Sequence, residues 1–102
     1  MDISIKKREI HYYADQAGSE PFNYWLKKLK DIRGKAKINA RINRAGEGNF
    51  GDYRHLSVGI YELKIDFGPG YRVYFGIDCN DTIILLIGGG TKKRQSSHFH
   101  FL

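Results

Sequence analysis

The sequence predicts an α+β domain: an N-terminal strand, then a two-helix hairpin packed on one face of a mainly antiparallel sheet of four or five strands. Three observations carry this. The stretch from Gly59 to Phe75, "GIYELKIDFGPGYRVYF", reads as two strands folded about a Gly-Pro-Gly turn. Two segments before it, around Trp25 and Ile38, repeat apolar residues at helical spacing. An apolar run, Ile83 to Ile87, closes the pattern and is apolar on both faces, as expected of a strand interior to a sheet.

Residues 8 to 13 alternate Ile10 and Tyr12 with His11 and Tyr13 and read as the first strand, with either parity apolar enough to pack. "GSEPFNYWLKKLKD" supplies a helix start. Ser19 is placed to cap it, Glu20 and Pro21 fall in its first turn, and Phe22, Trp25, Leu26 and Leu29 form one apolar stripe. Asp31 is placed to cap a second helix that sets Ile38, Ile42 and Ala45 on one face and Lys37, Arg41 and Arg44 on another, ending at Gly46 and Gly48. Strands are expected at about residues 53–56, 60–67, 71–77 and 82–87. A three-residue loop, Gly68 to Gly70, pairs Phe67 with Tyr71, Ile65 with Val73 and Leu63 with Phe75, collecting these six side chains on one core face. Lys64, Asp66, Arg72 and Tyr74 then become neighbours on the reverse face.

With 102 residues, the chain is expected to form a single domain over 1–102. Such a core buries only about 60 to 65% of the surface its unfolded form exposes. At 41% apolar and 14% aromatic residues, the composition is that of a globular protein. The formal net charge of +6 and a pI near 9.5 favour an anionic partner, nucleic acid or an acidic protein. Between Lys27 and Arg44, eight basic residues face one acid, Asp31. Cys79 is the sole cysteine and closes no intramolecular disulfide, and Lys6, Lys7, Arg8 and Glu9 interrupt any leader-like apolar region, so a cytoplasmic protein is expected. No apolar run approaches the ~20 residues of a membrane helix, so no membrane partner is expected.

The words "PFNYWLKKLKD", "AKINARINRAGEGNFGDYRHLSVGIYELKIDFGPGYRVYF" and "ILLIGGGTKKRQ", spanning about residues 21 to 95, resemble the RelE/ParE-type toxins of type II toxin–antitoxin modules, in particular the addiction-module killer branch. The resemblance implies a RelE-like fold and a metal-independent endoribonuclease that needs no cofactor. Such an enzyme cuts messenger RNA, commonly on the ribosome, and is silenced by a cognate antitoxin, commonly of helix-turn-helix type. It also implies catalytic roles for Lys64, Arg72, Lys92 and Lys93. The first of the family's paired strand lysines falls on Glu62 here, and after Gln95 the family's helix is replaced by "SSHFHFL". A gyrase-directed, non-enzymatic toxin, as among relatives on the same fold, and a decayed toxin that only binds its antitoxin are the alternatives.

Cleavage of RNA without a metal needs a base for the 2′-hydroxyl, a cation for the charge growing on phosphate and an acid for the leaving 5′ oxygen. Arg72 suits the second role because its planar fork holds two phosphate oxygens at once, and Lys64 is the candidate for proton transfer. The plainer alternative for both is a cross-strand ion pair with Asp66 or Glu62, worth about 0.2 to 1 kcal/mol. Substrate contacts are expected from Arg54, His55, Tyr74 and Arg94, and along the RNA backbone from Lys37, Arg41 and Arg44. The plainer reading of that last stripe is a solvated helix face. His98 and His100 alone make no zinc site, which needs at least three protein ligands.

Overall fold

In the computed structural model, which describes residues 5–89, the chain runs β1 (Ile10–Tyr12), α1 (Pro21–Lys28), α2 (Ile32–Gly46), β2 (Tyr53–Ser57), β3 (Ile60–Ile65), β4 (Tyr71–Ile77) and β5 (Ile83–Gly89). The five strands form one sheet in the order β1-β5-β4-β3-β2. From β2 to β5 all pairings are antiparallel, whereas β1 lies parallel to β5 at the far edge. The sheet is therefore mixed, and β5 is interior as its two apolar faces require.

Helix α1 begins at Pro21, whose missing N–H costs nothing at that position. The residue before it, Glu20, occupies the cap position expected for Ser19, and Glu20 Oε1 accepts a bond from Asn23 Nδ2 at 3.1 Å. At the start of α2, Asp31 accepts from the Gly34 N–H at 2.9 Å, and its other oxygen accepts from the Tyr71 hydroxyl at 2.7 Å. One carboxylate thus caps a helix and ties it to the first residue of β4. Gly48, with φ of 103°, adopts the left-handed backbone after α2 that glycine tolerates best.

Both helices cover the same face of the sheet. Phe22, Ile38, Ile42 and Ala45 meet Tyr61, Leu63, Ile65, Tyr71, Val73, Phe75, Ile83 and Leu85 in one buried cluster. Burying each Ile, Leu or Phe there contributes about 1.5–3 kcal/mol. An aromatic seam, Phe50 on Phe75 and Phe75 on Tyr61, stacks at centroid distances of 5.5 and 5.4 Å. Trp25 lies so close over Gly88 that a Cβ there would overlap its indole ring. The glycine doublet at the end of β5 serves helix packing at this position.

The central hairpin departs from the expected register by two residues. Ile65 pairs with Tyr71, Leu63 with Val73 and Tyr61 with Phe75, so the connection is the five-residue loop 66–70 in place of a three-residue one. Two glycines of that loop, Gly68 and Gly70, hold positive φ, and Gly70 N–H donates to Phe67 O at 3.0 Å. A shift of two keeps side-chain parity, so the core face is as expected, except that Tyr61 enters the ladder and Phe67 leaves it. Phe67 instead lies under the Lys37 ammonium, 5.6 Å from the ring centroid.

Candidate functional site

On the sheet face turned away from the helices, Lys64 stands directly opposite Arg72, and Glu62 directly opposite both Tyr74 and Arg54. A cleft of about 130 Å³ opens beside the first pair, lined by Asp52, Lys64, Asp66, Gly70 and Arg72. Lys64 and Arg72 thus meet as expected, with Asp66 at the rim. Asp52 joins them from the residue before β2, where its carbonyl accepts from the Lys64 N–H at 2.9 Å as β2 pairs with β3.

This face is not the solvated surface that its charges imply. Glu62 is 0% exposed, Arg72 4% and Tyr74 0%. Glu62 Oε1 accepts from Arg54 Nε at 3.0 Å, and its Oε2 lies 3.7 Å from Arg72 Nε. Arg72 Nη1 donates to the Tyr71 carbonyl at 3.2 Å, and among the described residues its Nε makes no hydrogen bond. The ion pair weighed in the sequence is therefore present, with Glu62, and it is buried. Burial first and the neighbouring Glu62 carboxylate second push the Tyr74 hydroxyl well above the usual tyrosine range, so Tyr74 is buried and neutral.

The remaining candidates lie elsewhere. His55 is exposed on the helix-side face of the edge strand, its ring 5.1 Å from that of Tyr61, opposite in facing to Arg72. Arg41 does not extend into solvent with its helical neighbours. Its Nη1 donates to Lys64 O at 2.6 Å and its Nη2 to Phe50 O and Asp52 O at 2.9 and 3.0 Å, so it clamps the backbone of two cleft residues from behind. The spacing that put Arg41 in a basic stripe could not show the three carbonyls beneath it. Lys37 and Arg44 are exposed on α2. Lys92, Lys93, Arg94, His98 and His100 lie outside the described residues. Gly89, opposite Arg72 across β4 and β5, is the last residue described before them.

The N-terminal segment contributes a feature that periodicity does not reveal. Asp81, in the turn between β4 and β5, pairs with Lys6 and accepts from Arg8 Nε at 2.8 Å, while the Arg8 guanidinium lies 5.7 Å from the Phe50 ring centroid. A wider hollow of about 480 Å³ runs between β1 and the helices, lined by Ile10, Glu20, Asn39 and Asn43 among others, and among the described residues none of the cationic candidates lines it.

Fold and site together define a small α+β protein that carries, on the back of a mixed five-stranded sheet, a cleft lined by two cations and two carboxylates. No family model matches the chain. Over 74 residues it is 53% identical to an uncharacterized protein of Haemophilus influenzae, a match covering 72% of this chain and 74% of that protein. The chain belongs to the same family as that Haemophilus influenzae protein.

Proposed function

We propose that this protein is the toxin of a type II toxin–antitoxin module of the RelE/ParE kind, a cytoplasmic endoribonuclease that cuts messenger RNA, on the ribosome, without a metal. The observation that carries this reading is the cleft in which Lys64 and Arg72 stand opposite one another. Two cations beside one hollow can hold a phosphodiester and the charge that grows on it. In the reaction the 2′-oxygen attacks phosphorus while the bond to the 5′-oxygen breaks; the 2′-proton passes to a base and a proton is delivered to the leaving oxygen. Lys64, half-buried in this cleft, is our candidate for proton transfer, and Arg72, with its planar fork, the group suited to phosphate. The net charge of +6 suits both the RNA and an acidic antitoxin segment that neutralises the toxin.

The test is induction in cells followed by primer extension on transcripts. The expected result is growth arrest with new 5′ ends, both abolished by Arg72→Ala. A second reading, a non-enzymatic toxin directed at gyrase or one that only binds its antitoxin, is favoured by one observation: Arg72 is already engaged by Glu62. Arrest without new 5′ ends supports the gyrase-directed form; no arrest, with an antitoxin still bound, supports the other.

A further inference from the structure

The Glu62 carboxylate sits behind Arg72, on the side away from the cleft. Arg72 lines the cleft through a side chain that is 5% exposed, and its Nε edge faces Glu62 Oε2 at 3.7 Å. Its Nη1 is turned toward the loop end of the site, donating to Tyr71 O and lying 3.9 Å from where a Cβ on Gly70 would stand. A guanidinium has two usable edges, and a carboxylate on one of them fixes which is offered to a ligand. Glu62 cannot swing away, because Arg54 Nε holds its other oxygen at 3.0 Å and the residue is 0% exposed. Tyr74, opposite Glu62 on β4, closes that side with a neutral hydroxyl.

We infer that Glu62 is a positioning residue. It orients Arg72 so that the Nη edge faces the cleft, while Arg54 holds Glu62 in place from the edge strand. The inference rests on the ribonuclease reading and deepens it. It assigns a role to the carboxylate standing where the resembling family carries a strand lysine. A carboxylate at this point does not cancel the site, because the negative charge is shared with Arg54 and stays behind the reacting phosphate.

Glu62→Gln keeps the shape and removes the charge. Its cleavage of a labelled messenger RNA in a reconstituted translation reaction is measured at saturating protein, together with the protein concentration giving half-maximal cleavage. The expected result is a fall in maximal rate on the order of 100-fold, as for a misaimed catalytic group, with half-saturation within about threefold because the basic surface that gathers RNA is intact. In parallel, the Arg72 Nε–H resonance is followed by nuclear magnetic resonance and is expected to shift and to exchange faster with water in the variant. Where the Gln variant does not fold, Glu62→Asp retains the charge, shortens its reach by one methylene and is expected to show the same loss of rate. A Gln or Asp variant that cleaves at the native rate, while Arg72→Ala does not cleave, overturns the positioning role and leaves the ribonuclease reading standing. A native protein that leaves the message intact overturns the ribonuclease reading and the role with it. An Arg72 resonance unchanged by Glu62→Gln overturns the contact itself.

Discussion

At the scale of single residues, charge on a strand proves a poor guide to exposure. Glu62 and Arg72 each alternate correctly with apolar neighbours and so read as the wet side of a hairpin, yet both are buried and paired. The pairing was legible as an alternative; the burial was not, because nothing in a two-strand pattern shows how much else covers that face. Arg41 was misread for a related reason: helical spacing locates a side chain on a face and is silent about acceptors below it. Tyr71 offers a test at this scale. Burial first and its bond to Asp31 second hold its hydroxyl neutral, with a pKa pushed up to about 12, while in the unfolded chain it ionises near 10. Its contribution to stability is complete below about pH 10 and disappears as pH rises toward 12. The gap between the urea midpoints of the protein and of Tyr71→Phe should therefore narrow from pH 8 to pH 11. A constant gap would contradict the contact.

Elements defined by local chemistry were readable almost to the residue. Asp31 caps α2, Pro21 opens α1, and Ile38, Ile42 and Ala45 face the core because caps and 3.6-residue periodicity depend only on neighbours in sequence. The hairpin faces were readable for a different reason: an error of two in register preserves parity, so the core face survived a wrong loop length. The parallel pairing of β1 was not readable, since it joins the first strand to the last and no short-range signal marks it. Gly88 belongs to this scale as well. In the fold it makes room for Trp25 between α1 and β5. Gly88→Ala should cost about 1–3 kcal/mol through overpacking, seen as a lower midpoint of urea unfolding with an unchanged slope. A neutral substitution would mean that the indole has room to move.

For the molecule as a whole, the proposed ribonuclease reading and the excess of positive charge together predict a salt dependence. Each backbone phosphate neutralised on single-stranded RNA releases counterions and contributes about −0.7 to the slope of log affinity against log salt. Association with a single-stranded RNA should therefore weaken steeply between about 50 and 200 mM salt, and Lys64→Gln should flatten the slope by about 0.7. Association indifferent to salt would rule out a backbone-reading surface. The strand order carries a consequence for biosynthesis. Ile10 to Tyr12 find their ladder partners only at Ile83 to Leu85, and Arg8 reaches Asp81 across a sequence separation of 73 residues. A chain leaving the ribosome N-terminus first must therefore hold its opening strand unzipped until the final one has emerged. Only then does Arg72, whose cross-strand neighbour in β5 is Gly89, acquire the complete sheet around it, so the cleft is assembled among the last features of the fold.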